Sequence, residues 1–175
     1  MTERAPSEVT NLDRYGNPAL PWSRPHDLLT AGAAPAPGNP FFLGTCRPDG
    51  RPHAAGIGAL WLDGDFYFTS SPHARKARNL ATNPAGTISA RLKGIDIVLE
   101  GEAARVTDRP TLEEVARRYR EGGWPAEVAG DALTAPYSAP SAGPPPWWLY
   151  RFTCHTAFGV ATAEPYGATR WRFQQ

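Results

Sequence analysis

Two dipeptides, Asp63-Gly64 and Lys93-Gly94, constrain this chain more than any other feature, because each separates stretches whose composition reads as strand. A glycine takes a left-handed turn position without steric cost, and Asp-Gly between two apolar runs is a hairpin signal. Pro52 to Leu62 leads into the first turn and Phe66-Tyr67-Phe68-Thr69 leaves it. Thr87 to Leu92 leads into the second, and Ile95 to Val106 alternates onward through Ile97 and Leu99. Phe41 to Cys46 precedes the turn signal Arg47-Pro48-Asp49-Gly50, so the spacing predicts a three-stranded meander, a helix and then a hairpin. Trp147 to Thr153, Thr156 to Val160 and Thr169 to Phe173 read as later strands. Six or more strands joined mostly by hairpins, with two short helices, predict a mainly β fold: a closed or partly closed antiparallel barrel.

The helix between these strands starts with the wrong charges. Ser71 is placed to cap it, Pro72 suits its first position, and Asn83-Pro84 ends it. Peptide dipoles leave partial positive charge at a helix N-terminus, so Arg75, Lys76 and Arg78 oppose the local field. Helical spacing sets Ala74, Ala77, Leu80 and Ala81 on one face and Arg75, Arg78, Asn79 and Thr82 on the other, with Lys76 at the border. A second helix, about Pro110 to Tyr119, obeys the rule: Thr111 and Glu114 read as a capping box, Glu113 and Glu114 precede Arg117 and Arg118 by four residues, and Leu112, Val115, Ala116 and Tyr119 fall at core spacing. From Phe66 to Ile95 there is no acidic residue, while Arg75, Lys76, Arg78, Arg91 and Lys93 add five positive charges to a chain whose net charge is only +1. A compact patch on a near-neutral protein fits a phosphate group, met also by the N–H groups of His73 and Ala74, better than a nucleic-acid backbone. An ordinary solvated helix face is the alternative.

At 175 residues and 41% hydrophobic, the chain is expected to be one domain with a real core. No apolar run reaches membrane length, and Met1 to Pro6 lacks the grammar of a signal peptide, so no membrane association and a cytoplasmic location are expected. Cys46 and Cys154 have no metal spacing and read as small hydrophobes in a reduced compartment, with pairing between them as the alternative; His26, His53, His73 and His155 are dispersed, and no metal site is legible. Residues 1–40 hold seven of the 19 prolines and read as an extended N-terminal arm around Trp22 and Leu28-Leu29, wrapping the domain or mobile. Residues 41–175 form the barrel domain, with a Pro-rich loop at 121–146 that is either a lid carrying Trp124 and Tyr137 or a passively packed connection. The glycines of Ala55-Gly56-Ile57-Gly58 imply a bulge or the close approach of a ligand such as a planar ring. Thr87, Ser89 and Arg91 face away from Ile88, Ala90 and Leu92, which leaves Arg91 to meet solvent or an anion.

The segment Phe41 to Val106 resembles the pyridoxamine 5′-phosphate oxidase-like superfamily of flavin-binding split β-barrels, in particular its small flavin or deazaflavin oxidoreductase branch. The matching pieces are Gly50-Arg51-Pro52-His53, Phe66-Tyr67-Phe68-Thr69, Ala74-Arg75-Lys76-Ala77-Arg78-Asn79-Leu80, Asn83-Pro84 and Gly101-Glu102-Ala103, with Ala168 to Phe173 resembling the closing strand. The resemblance implies an antiparallel split β-barrel of the FMN-binding type, a homodimer with cofactor sites at the interface, and a small-molecule substrate. It implies FMN as cofactor, or alternatively the 8-hydroxy-5-deazaflavin coenzyme. Arg75 and Lys76 would hold the cofactor phosphate, Phe68 and Thr69 would line the ring or ribityl chain, and His53, Ala54, Ala55, Gly56, Ile57 and Gly58 would run along the isoalloxazine. Asp96 falls where the oxidases usually carry a glutamine facing the flavin.

Departures from the pattern matter too. Oxidases proper carry an Arg and a Lys where this chain has Ala55 and Leu60, and their later substrate segment is replaced by the 121–146 loop. The expectation is therefore a flavin- or deazaflavin-dependent oxidoreductase in which the cofactor carries the hydride chemistry. Pyridoxamine 5′-phosphate oxidation itself is the runner-up. A non-catalytic flavin- or haem-binding module, with His53, His73 or His155 as axial ligand, is the reading from another class. Trp147, Trp148 and Trp171 either stack on a ring or pack in a core or interface.

Overall fold

In the computed structural model, residues 4–32 and 41–174 are described. The parts of the expected arm at 1–3 and 33–40 lie outside them. In chain order the elements are β1 (Glu8–Asn11), α1 (Ser23–Thr30), β2 (Phe41–Cys46), β3 (Pro52–Ile57), β4 (Leu60–Leu62), β5 (Asp65–Ser70), α2 (Arg75–Thr82), β6 (Ala85–Leu92), β7 (Ile95–Val106), α3 (Arg109–Glu121), β8 (Glu127–Ala129), β9 (Ala132–Thr134), β10 (Trp148–Ala161) and β11 (Ala168–Arg172). The main sheet runs β1-β11-β10-β7-β6-β2-β3, every pair antiparallel, with β5 joined to β10 and β4 to β5. β8 and β9 form a small hairpin of their own.

The sheet splits at β10. This 14-residue strand pairs with β7 along its length, with β5 through Trp148 to Phe152, and with β11 through Thr156 to Val160. A register shift between Cys154 and Thr156 bends it there, so the two strands expected at 147–153 and 156–160 are one strand with a bulge. The architecture is mainly β and antiparallel, as the hairpin signals implied, and it is a split barrel, as the resemblance implied.

β5 explains its own composition. Phe66 and Phe68 enter the main core with Leu43, Ile88, Leu99 and Phe152, while Tyr67 faces a second core under α3 with Leu112, Val115, Leu133 and Leu149. A strand buried on both faces must be apolar throughout, which is why Phe66-Tyr67-Phe68 does not alternate.

Several expectations are corrected. Pro52 to Leu62 is not one strand: it breaks at Gly58-Ala59, β3 pairs only with β2, and β4 turns away to pair with β5. At this break the Tyr119 hydroxyl donates to the Gly58 carbonyl at 2.9 Å, and no three-stranded meander forms. The first helix starts at Arg75 with Ala74 as N-cap, because Ser71 is used in a preceding turn: its hydroxyl accepts from the His73 N–H at 3.3 Å and its carbonyl from the Ala74 N–H at 3.1 Å. The second helix is capped by Asp108, whose carboxylate accepts from the Thr111 N–H at 3.0 Å, in place of the Thr111–Glu114 box. Glu113 pairs with Arg109, while Glu114 takes both Arg117 and Arg118.

The arm is neither purely extended nor loose. β1 pairs with β11, and α1, a third helix, brings Trp22 against Trp171 and Phe173 at centroid distances of 5.4 and 4.8 Å. Both turns behave as expected: Asp63 and Gly64 have φ of 54° and 87°, and Gly94 has 75°. Cys46 and Cys154 are both free thiols.

Candidate functional site

β5 delivers the chain to α2 through a tight turn at 71–74. The N–H of Arg78 donates to the Ala74 carbonyl at 3.1 Å, so the N–H groups of Arg75, Lys76 and Ala77 open the helix with no acceptor a turn behind them. No acidic residue occupies the first turn, and among the described residues no carboxylate pairs with Arg75, Lys76 or Arg78. Arg75 and Arg78 are exposed, whereas Lys76 is half-buried. Burial alone pulls the Lys76 ammonium below its usual pKa, since no anion compensates its lost hydration. Arg75 and Lys76 thus stand at a helix start whose N–H groups have no acceptor a turn behind them.

The helix is held by a contact the sequence concealed. Asn79, expected on the solvated face, is buried beside Ala77 and Leu80 and donates through Nδ2 to Thr45 Oγ1 of β2 at 2.9 Å. Thr45 pairs in register with His53 of β3, so α2 is pinned directly over the β2–β3 hairpin. His53 is consequently surrounded by positive charge. Its imidazolium is disfavoured by burial first, then by Arg47, Arg75 and Lys76, and its pKa lies below the usual histidine value.

Beside this helix start lies a cavity of about 390 Å³. One wall is Gly56, Ile57 and Gly58 at the end of β3, the floor is Thr69, Ser70 and Ser71, and Lys76 reaches its rim. Gly58 has nothing within 4 Å of where a side chain would begin, so this wall is flat and open. The opposite side is built by Tyr119, by the 121–146 loop through Trp124, Tyr137 and Ala142, and by Trp147 just after it. The loop is cross-braced internally: Trp124 Nε1 donates to the Tyr137 carbonyl at 2.7 Å, the Tyr137 hydroxyl to the Gly123 carbonyl at 3.3 Å, and Trp147 Nε1 to the Ala142 carbonyl at 3.3 Å. A flat glycine wall, an aromatic roof and an unneutralised cationic end suit a planar ligand that carries an anion.

The expected site residues separate into groups. Gly56, Ile57, Gly58, Thr69 and Lys76 line this cavity, and Arg75 stands exposed beside Lys76. His53 and Ala54 line a second groove of about 730 Å³ at the other end of β3, with Thr45, Asn83, Gly86 and His155, and Ala55 lies between the two. Phe68 lines neither cavity: it is fully buried and stacked on Tyr150 at 5.3 Å, so it supports Thr69 from the core. Asp96 stands apart at the β6–β7 hairpin. Arg91 grips its carboxylate through two contacts of 2.8 and 2.9 Å and holds it below the usual carboxylate range. His73 is exposed and shares neither cavity. Tyr119, read only as a core residue, and Arg47, read only as a turn residue, were missed as neighbours of the site; both act through strands remote in sequence.

A family model described as pyridoxamine 5′-phosphate oxidase matches residues 35–141. Among solved structures, a pyridoxamine 5′-phosphate oxidase-related, FMN binding protein from Nostoc punctiforme is 17% identical, with 87% of this chain and 89% of that chain covered and a TM-score of 0.57. PhzG from Burkholderia lata, in complex with tetrahydrophenazine-1-carboxylic acid, is 18% identical, with 87% and 84% covered and a TM-score of 0.53. At these identities the likeness is one of fold. A comparison with curated proteins gave no match.

Proposed function

The chain belongs to the pyridoxamine 5′-phosphate oxidase family, and from that premise we propose that it is an oxidoreductase that uses FMN, or the 8-hydroxy-5-deazaflavin coenzyme, to reduce or oxidise a small organic substrate. The observation that carries this reading is Lys76: a half-buried ammonium without a carboxylate, at the rim of a glycine-walled, aromatic-roofed cavity. When bound, the cofactor supplies hydride transfer. Arg75, Lys76 and the N–H groups that open α2 hold its phosphate by charge-assisted hydrogen bonds. Gly56 and Gly58 would leave room for the ring beside β3, and Thr69 and Ser70 would offer hydroxyls to the polar chain between ring and phosphate. Trp124, Tyr137 and Trp147 exclude water from the ring.

No side-chain acid or base is required of the protein. Burial, and after it the nearby Arg47, Arg75 and Lys76, hold the His53 pKa below the usual histidine value and favour the neutral ring, which can accept or donate a hydrogen bond without carrying charge. The working unit is a homodimer with the sites at its interface, in the cytoplasm; among the described residues no helix is long and apolar enough to cross a membrane. Pyridoxamine 5′-phosphate oxidation is less well supported. Leu60 is packed with the α3 core and Ala55 is half-buried, so neither position offers a charge to a phosphate.

The test is binding and reduction of FMN and the deazaflavin side by side, followed by visible absorbance of the purified protein. Flavin or deazaflavin bands that bleach on reduction and recover with an organic oxidant support the proposal. A protein that binds neither, or a Soret band from bound haem, refutes it.

A further inference from the structure

Another cavity, of about 440 Å³, lies at the opposite end of β5 from the glycine-walled one. Gly64, in the turn that opens β5, lines it, whereas Thr69 near the end of that strand lines the other. At about 3.3 Å per residue the strand separates them by about 17 Å. The two cavities share no lining residue.

Its walls are aromatic. The arm brings Trp22 edge-on to Phe173 at 4.8 Å, and the His26 ring stands 6.2 Å from Trp22 and 6.3 Å from Trp61. Cys154 also lines it, and burial pushes that thiol up to about 12, so the thiol is uncharged at neutral pH. A charge on a ligand whose ring enters here is therefore met by the charged residues that complete the lining, Arg4, Arg118 and Asp63.

The two arginines are already committed. Arg118 donates to Glu114 at 3.0 Å and lies 4.0 Å from Glu121. Arg4 donates to the Gln174 carbonyl at 2.7 Å, stands 3.9 Å from Asp65 and lays its guanidinium over the Phe173 ring, 5.8 Å from the centroid. That last contact shows the aromatic wall holding a cation. Asp63 is exposed and, among the described residues, makes neither an ion pair nor a side-chain hydrogen bond. The charge left over is negative.

We infer that this cavity is a second ligand site, separate from the cofactor, for a flat aromatic amine whose ring enters among Trp22, Trp61 and Phe173 and whose ammonium pairs with Asp63. Ring burial supplies the apolar part of the affinity, and aromatic faces and an unpaired carboxylate both favour a positive substituent. An aromatic carboxylate meets a like charge at Asp63, while the arginines that would offset it are held by their own partners. The site stands whether or not the protein uses a flavin.

The test is calorimetric titration of the full-length protein with 1-naphthylmethylamine, 1-naphthylmethanol and 1-naphthoate, which share one ring system and differ in charge. The amine should bind about tenfold more tightly than the alcohol, and the carboxylate more weakly than either. The gap between amine and alcohol should narrow in high salt, because Asp63 is exposed. Asp63→Asn removes the charge at a position whose φ of 54° asparagine also tolerates, so it should bring the amine within about threefold of the alcohol while the melting temperature holds. Trp61→Leu should weaken all three probes. An amine that binds no more tightly than the alcohol, an amine affinity unchanged by Asp63→Asn, or probe affinities unchanged by Trp61→Leu would each overturn the inference.

Discussion

Removing the Asn79–Thr45 hydrogen bond should show how α2 is held, and a double-mutant cycle isolates that bond. Asn79 is 1% exposed and Thr45 5% exposed, and the Nδ2–Oγ1 distance of 2.9 Å is that of a normal hydrogen bond. Thr45→Val keeps the shape and strands the Asn79 amide in the core; Asn79→Leu keeps the volume and strands the Thr45 hydroxyl. Each single change leaves a buried polar group unpaired and should cost about 1–3 kcal/mol. The combined variant leaves neither group, so its loss should be smaller than the sum of the two by about 1 kcal/mol or more. Urea denaturation with a common m-value reads this directly, and for a chain of this size each kcal/mol also moves Tm by about 2–4 °C. The single variants should also weaken FMN binding, because Arg75 and Lys76 ride one turn ahead of Asn79. Strictly additive losses would show that the two side chains do not interact and would refute this account of how the helix is positioned.

Three further outcomes follow from particular contacts. Gly159→Ala would place a methyl 2.6 Å from the Trp171 ring, so it should destabilise by about 1–3 kcal/mol in the same denaturation assay, whereas Gly58→Ala, with open space around it, should leave stability nearly unchanged. His53 has a pKa depressed below the usual histidine value of about 6.5, so the unfolded chain takes up its proton first; stability should fall as pH drops below about 6.5, and His53→Gln should flatten that part of the pH–stability profile. Burial pushes the Cys154 thiol up to about 12, so a thiol reagent at pH 8 should label Cys46 alone in the native protein and both cysteines in urea.

What could be read from the sequence is what depends on neighbours in sequence. The turns at Asp63-Gly64 and Lys93-Gly94 were legible because glycine's tolerance of positive φ is a local property, and β6 and β7 followed from their alternation. The cationic start of α2 was legible because helix dipoles are local too. What was hidden depends on partners far along the chain. The break between β3 and β4 involves the hydroxyl of Tyr119, 61 residues away, and the burial of Asn79 requires Thr45, 34 residues away. Helical periodicity put Asn79 with the arginines because an amide and a charge look alike to a hydropathy pattern. Arg47 looked like turn punctuation, since nothing in its own segment shows that α2 and His53 will close around it. The loop was half legible: Trp124 and Tyr137 marked it as aromatic, and the carbonyls that accept from them brace it internally.

The central claim, that the start of α2 holds a flavin phosphate, is tested most directly by the affinity gap between FMN and riboflavin, which differ only in that phosphate. The account predicts that the wild-type protein binds FMN at least about 100-fold more tightly than riboflavin, and that Arg75→Ala/Lys76→Ala collapses the gap while the melting temperature holds. Equal affinity for the two flavins in the wild type, or a gap that survives the double substitution, would contradict it.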